Sequence, residues 1–355
     1  MKSIIRTSGS YSVGQRPEPG DTPEGCLVVE VHAVPLTELD VGASLDTARF
    51  GASKSAKWGL GSAFSGTVLS CGSGCKRLSQ GDTVFGMVMN PFGDSCVTSR
   101  IIVSESSCAK CPMRISPAEA ASMVVDLMVA ERTLRLVKAT DADSILVTGG
   151  TTPVARALIE LAKSSMFGVE WIATTVNGLA DREYAESLGA DETFDTSCSG
   201  GDWSRAFESG VNRKEYDIVI DVVGDSKRAK RLLKPSTGRL VSLFNKPTPE
   251  ELLDFDRRVS GNFLSSWSKR MLENRMFRNV VAGCSGRRRK CRGKEYFSVL
   301  PTGDGEILER LAVLIDMEVL SPKIEKSITP EEVSEAVAEL RARPFSTRGR
   351  IVVEL

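Results

Sequence analysis

The sequence predicts an α/β protein in two parts, a compact β-barrel followed by a doubly wound parallel sheet. Three observations carry that expectation. Short alternating apolar segments bounded by turn residues fill the first third of the chain, and apolar strands alternate with amphipathic helices from Ser144 onward. Where the two textures meet lies Ser144-Ile-Leu-Val-Thr-Gly-Gly-Thr-Thr-Pro-Val-Ala-Arg-Ala-Leu-Ile-Glu-Leu-Ala-Lys163, which reads as a strand, a glycine turn and a helix. Such a unit turns backbone N–H groups and the positive end of a helix toward an anion, the arrangement used for pyrophosphates.

Composition narrows the class. A chain of 355 residues exceeds what one core usually serves, so two domains are expected. Forty-six basic side chains balance 46 acidic ones, which gives no net field for nucleic acid. A hydrophobic share of 41% is that of a soluble globular protein, and no apolar run reaches the roughly 18 to 20 residues of a membrane span. Nine scattered cysteines without a secretory signal point to free thiols. Met1-Lys-Ser-Ile-Ile-Arg-Thr7 leads directly into a strand and leaves no room for a cleaved presequence, so the cytoplasm is the default compartment.

The elements follow from periodicity. In Cys26 to Ala33, Leu27, Val29 and Val31 share one face while Glu30 and His32 share the other. Further strands are expected at Phe64 to Leu69, Thr83 to Met89 and Cys96 to Val103, each bounded by Gly, Ser, Asn or Asp. A helix is expected from Ser116, capped by Ser116 with Glu119 answering three residues on, and it runs to Leu136. Beyond Ser144, strands fit Ile145 to Thr148, Trp171 to Val176, Glu192 to Asp195, Asp217 to Val223 and Arg239 to Phe244. Helices fit Pro153 to Ser164, Leu179 to Leu188 and Lys227 to Leu233. Asn245 to Asn279 reads as helical and polar. Gly283 to Lys294 is a basic loop, Tyr296 to Leu300 a strand, Gly305 to Leu320 and Pro330 to Ala342 helices, and Gly349 to Leu355 a closing strand.

Nine local motifs recur in one order: Arg16-Pro-Glu-Pro-Gly20, His32-Ala33 with Asp40, Phe64-Ser-Gly-Thr-Val68, Gly81-Asp-Thr-Val-Phe-Gly86, Pro117-Ala-Glu-Ala-Ala121, Leu188-Gly-Ala-Asp191, Tyr216-Asp-Ile-Val-Ile-Asp-Val-Val-Gly224, Leu233-Lys-Pro-Ser-Thr-Gly-Arg-Leu-Val241 and Arg348-Gly-Arg-Ile-Val352. In this the chain resembles the medium-chain dehydrogenase/reductase superfamily, in its zinc-free quinone reductase and enoyl reductase branch. The tail from Tyr296 is similar to that of the reticulon-interacting mitochondrial oxidoreductases. The resemblance implies a GroES-like barrel over residues 1–123 and 296–355 and a Rossmann-type cofactor domain over 124–295. It also implies a homodimer joined through the sheet of the cofactor domain, and a mitochondrial alternative to the cytoplasm.

The glycine turn departs from the common family form, because Thr152, Pro153 and Ala155 stand where three glycines would. Gly149-Gly-Thr-Thr-Pro-Val-Ala155 is closer to the Gly-Gly-Ser-Thr-Ala-Thr-Gly turn of fungal enoyl reductases. Small residues still admit a ligand to the backbone, and Pro153 suits a first helical turn at the loss of one N–H donor. The hydroxyls of Thr151 and Thr152 are expected to make good that loss, with Gly149, Gly150 and Val154 completing the turn. At the end of the second strand, Ala173-Thr-Thr-Val-Asn177 lacks the acid that binds the ribose hydroxyls of NAD. Thr174, Thr175 and Arg182 are read instead as partners of a 2′-phosphate, which makes NADPH the expected cofactor.

By resemblance, Thr37 and Asp40 line the reacting centre from the barrel, and Val223, Gly224, Leu243 and Phe244 line it from the sheet. Thr37 stands where relatives often carry asparagine, and Phe50 lies near the place of a tyrosine acid. A general acid is typically worth ~10²–10⁴-fold, so weak enoyl reductase activity, or a quinone reaction that draws its proton from water, fits better than an efficient enoyl reduction. His32 reads as structural or solvated. Cys108-Ala-Lys-Cys111 has ligand spacing without a second pair. The run Arg287-Arg-Arg-Lys290 with Arg292 and Lys294 reads as a solvated loop, a cap over the substrate cleft, or a contact for a protein partner. The expected activity is NADPH-dependent, zinc-independent hydride transfer to a small quinone or α,β-unsaturated carbonyl. The competing reading is a catalytically degenerate copy of the fold serving in a larger assembly.

Overall fold

The structure is a computed structural model that describes residues 1–7, 10–38, 40, 60–88, 95–197, 203–204, 215–243, 257, 294–297, 299, 301–342 and 348–355. Its contacts divide the chain into two compact units, one built on Met1–Met128 and Pro301–Leu355 and one on Val129–Asp254 and Lys269–Leu300.

In the first unit, strands β1 (Lys2–Thr7) and β2 (Ser10–Gln15) form an antiparallel hairpin. A seven-stranded sheet holds β3 (Cys26–Leu36), β4 (Ala63–Cys71), β5 (Thr83–Met87), β6 (Arg100–Ser104), β7 (Cys108–Lys110), β14 (Ile324–Ile328) and β15 (Arg350–Glu354). Its order is β14-β15-β3-β4-β5-β7, with β6 also paired to β3. The alternation read from the sequence decides which face is buried: Leu27, Val29 and Val31 enter the core with Phe64, Val84 and Val103, while Glu30 is exposed. Beyond Leu36 the chain breaks from the sheet at Thr37. Helices α5 (Gly305–Asp316) and α6 (Val333–Ala342) belong to the same unit, and Asp304 caps α5 by accepting from the amides of Glu306 and Ile307.

Helix α1 (Pro117–Leu136) begins with the expected reciprocal cap. Ser116 donates its amide and hydroxyl to Glu119 at 2.8 Å, and the Glu119 amide donates to Ser116 Oγ.

The second unit is a six-stranded parallel sheet of β8 (Ser144–Val147), β9 (Trp171–Val176), β10 (Glu192–Asp195), β11 (Ile218–Asp221), β12 (Arg239–Ser242) and β13 (Lys294–Phe297). Its order, β10-β9-β8-β11-β12-β13, reverses direction between β8 and β11. That is the doubly wound order whose switch point lies at the carboxyl ends of the first and fourth strands. Helices α2 (Pro153–Lys163), α3 (Leu179–Ser187) and the short α4 (Ser226–Ala229) follow β8, β9 and β11.

Three sequence expectations change. Strand β13 pairs in register with β12, Tyr296 opposite Val241, so residues 296–297 belong to the parallel sheet and not to the barrel. The helix expected at Lys227 to Leu233 is one α turn followed by a 3₁₀ turn over Lys230–Leu232. The strand expected at Cys96 to Val103 is Arg100–Ser104, because the amides of Cys96 and Val97 turn to the carbonyls of Gly61 and Leu60. Phe50, Asn245 and the basic loop 283–293 lie outside the described residues.

Candidate functional site

The carboxyl end of the parallel sheet is organised by a residue the sequence reading passed over. Asp221, the last residue of β11, is fully buried. Its Oδ1 accepts from the Thr148 hydroxyl at 2.9 Å and from the amides of Gly224 at 3.0 Å and Asp225 at 2.8 Å. Its Oδ2 accepts from the Ser242 hydroxyl at 2.9 Å. One carboxylate therefore ties the ends of β8, β11 and β12 together across the switch point, and sets the loop carrying Val223 and Gly224. The signal lay in an acid closing the run Ile218-Val-Ile-Asp221, where a buried strand has no solvent to offer it.

The glycine turn is packed against this frame. A Cβ on Gly149 would sit 2.4 Å from Val223 Cγ1, and one on Gly150 would sit 2.3 Å from Thr174 Oγ1. Gly149 also has φ +69°, so both positions require glycine. Gly150→Ala is expected to destabilise the protein by about 1–3 kcal/mol, the usual cost of forcing atoms into a packed site. A second change, Thr174→Ala, should recover part of that in a denaturant titration.

The amides of the turn are mostly spoken for. Gly149 donates to Thr175 Oγ1 at 2.8 Å, Gly150 to the Thr175 carbonyl and Thr152 to the Gly149 carbonyl, both at 2.9 Å. Thr152 caps α2, accepting from the Ala155 amide while its own hydroxyl donates to the Gly149 carbonyl. Pro153 at the first helical position has no N–H. Among the described residues, the amides of Thr151 and Val154 find no acceptor, and they remain at the positive end of α2 for an anion.

Two expected ligands leave the site, and a third is reduced. Thr174 is fully buried, with its hydroxyl donated to the Val147 carbonyl at 2.7 Å, so it stitches β9 to β8 and does not reach a ribose phosphate. The Thr152 hydroxyl is consumed by the cap and does not replace the missing amide. Thr175 lies buried beneath the turn, holding the Gly149 and Gly150 amides. Arg182, in the first turn of α3, is exposed, and no described residue pairs with it. Leu243 is half-buried, its amide donating to the Asp221 carbonyl at 2.8 Å. Phe244 lies outside the described residues.

In the first unit, Thr37 and Asp40 do come together. Asp40 Oδ2 accepts from both the amide and the hydroxyl of Thr37 at 2.8 Å, and Oδ1 accepts from the Gly61 amide at 2.8 Å. Burial pushes the Asp40 carboxyl above its ordinary range, against the pull of those donors and of Arg350. The Thr37 proton is thus committed to Asp40, and the pair locks the chain after β3 instead of presenting an acid. Behind it, Arg350 donates Nη2 and Nε to Asp126 at 2.5 and 3.0 Å and Nη1 to Glu38 at 2.5 Å.

His32 Nε2 lies 3.4 Å from Thr67 Oγ1, and among the described residues no group of three or more His, Cys, Asp or Glu is placed to hold a metal ion. Cys108 is buried, which pushes its thiol well above the ordinary range, and burial pushes Cys111 up to about 12. Neither is a thiolate at neutral pH, so the Cys108-Ala-Lys-Cys111 spacing does not make a reactive pair.

One unit carries a mixed sheet and the other a doubly wound parallel sheet. Residues 188–353 match the family model described as zinc-binding dehydrogenase, and the chain is similar to reductases and oxidoreductases. It is 31% identical to 2-methylene-furan-3-one reductase of Solanum lycopersicum over 189 residues, 52% of this chain and 46% of that protein. It is 25% identical to NAD(P)H oxidoreductase RTN4IP1, mitochondrial, of Mus musculus over 306 residues, 83% of this chain and 70% of the relative. The chain therefore matches about half the length of the tomato relative. Among solved structures, the quinone oxidoreductase from Coxiella burnetii shares the fold with a TM-score of 0.74 at 20% identity, covering 100% of this chain and 99% of that one. Among the described residues no helix is long and apolar enough to cross a membrane.

Proposed function

We propose that the protein is an NADPH-dependent, zinc-independent oxidoreductase that reduces a quinone or an α,β-unsaturated carbonyl. The observation that carries this reading is the capped amino end of α2 at the switch point, where two amides remain without acceptors among the described residues. The bound cofactor would supply a hydride. Gly149, Gly150, Thr151, Pro153 and Val154 would form the surface on which its pyrophosphate rests, with Val223, Gly224 and Leu243 beside it. Arg182 supports the 2′-phosphate, because α3 begins after a strand end, Val176-Asn177, that carries no acid. Thr37 and Asp40 keep the hydroxyl proton between them and are not assigned as the acid, so water protonates the reduced oxygen. A quinone oxygen tolerates that more readily than a carbon centre.

NADPH at 100 times its dissociation constant is expected to raise stability by ~2.7 kcal/mol, read as a thermal shift. Trp203 supplies a second readout, since its indole N–H donates to Asp225 at 2.6 Å and the Asp225 amide donates in turn to Asp221. Arg182→Ala should weaken NADPH by about 10-fold or more, the worth of one charge-assisted contact, and leave NADH unchanged. Equal binding of the two cofactors by the unmodified protein would remove the 2′-phosphate assignment. The internally bonded amides of Gly149, Gly150 and Thr152 favour a second reading, a non-catalytic subunit of an assembly. Consumption of NADPH with an ortho-quinone decides against it. The resemblance further supports a homodimer and, through the mouse relative, a mitochondrial setting.

A further inference from the structure

Arg156 is the fourth residue of α2, one turn beyond the capping Thr152. Only 2% of it is exposed, and its Nε and Nη1 are buried without a hydrogen-bond partner. Among the described residues no ion pair joins it to Glu160, one turn further on. A buried guanidinium without a counter-charge is costly, because the hydration it lost is regained only through an anion. Long side chains on a helix lie back over the preceding turn. For Arg156 that turn carries Thr152, Pro153 and the unbonded amide of Val154. The helix whose end lacks an amide at Pro153 therefore carries, one turn in, a buried cation with no hydrogen-bond partner at Nε and Nη1 among the described residues.

We propose that Arg156 is a ligand of the cofactor pyrophosphate, supplying from the body of α2 the donor that Pro153 lacks at its tip. The assignment rests on the dinucleotide reading above and adds to it a residue outside the turn. Guanidinium suits the task because its parallel donors match two phosphate oxygens. It also converts a site built on backbone dipoles into one that carries a full charge.

Calorimetric titration with 2′-phospho-ADP-ribose, which carries the pyrophosphate, and with adenosine 2′-monophosphate, which does not, tests this. Arg156→Met should weaken the first ligand about 10- to 100-fold, as expected for loss of a charge-assisted contact, and leave the second unchanged. Arg156→Lys should recover part of the loss. Without ligand, Arg156→Met should melt no lower than the unmodified protein, since it removes an unpaired charge. Should it not fold, Arg156→Gln is titrated in the same way. Full affinity for 2′-phospho-ADP-ribose in a folded variant, or a lowered melting point with affinity intact, overturns the assignment and leaves the dinucleotide reading standing. Failure of the unmodified protein to bind 2′-phospho-ADP-ribose overturns both.

Discussion

Arg350→Leu is expected to destabilise the protein by about 3–5 kcal/mol, because it takes the guanidinium from a buried carboxylate. Asp126 is 1% exposed as a side chain and Arg350 is 2% exposed, so neither can recover its hydration when the other is lost. Glu38 at 23% keeps a path to solvent and suffers less. Burial works against the Arg350 charge, and Asp126 and Glu38 more than offset it, holding the guanidinium above its ordinary range. The double variant Asp126→Leu, Arg350→Leu should regain most of the loss, since well-packed apolar groups often replace a buried pair at little cost. Urea titrations of the two single variants and the double variant form the cycle that measures it. A double variant no better than Arg350→Leu alone would show that packing of the arginine stem, and not the charge pair, supplies the stability.

Asp221→Ala should be of comparable size and should also reach the cofactor site. It strips the acceptor from two hydroxyls and two amides at once. An unsatisfied buried group costs about 1–3 kcal/mol, and relaxation of the loop after β11 keeps the sum to about 3–5 kcal/mol. For the size of this unit that corresponds to a melting point lower by roughly 10 °C. Asp221→Asn keeps the shape and one acceptor, so it should fall between the two. The Trp203 emission should move to the red in both variants as the loop carrying Asp225 loosens. NADPH affinity should drop with it, because Val223 and Gly224 are positioned from the same carboxylate. An unchanged Trp203 spectrum in a folded Asp221→Ala protein would contradict this account of the switch point.

Much of the fold was legible because it rests on local period. Leu27, Val29 and Val31 fixed the buried face of β3, and continuous apolar runs at Ile145 to Val147 and Ile218 to Ile220 marked fully buried parallel strands. The Ser116 and Glu119 cap declared itself by spacing. Strand β14, Ile324–Ile328, was not legible, since only its ends point inward and its middle is Glu325-Lys-Ser327. Its strand character comes from pairing with β15, a partner some 25 residues away.

The candidate site divides in the same way. The sequence by itself determined the strand, glycine turn and helix from Ser144 to Lys163, and the want of an acid after Val176. These are properties of neighbouring residues. Only the tertiary structure decided which polar groups are spent. The hydroxyls of Thr152 and Thr174 and the proton of Thr37 close internal bonds, whereas Arg156, which the sequence offers as one more helical residue, is buried with Nε and Nη1 unbonded among the described residues. Hydrogen-bond satisfaction depends on groups distant in the chain, as Asp221 with Thr148 and Ser242 shows, and no periodicity encodes it.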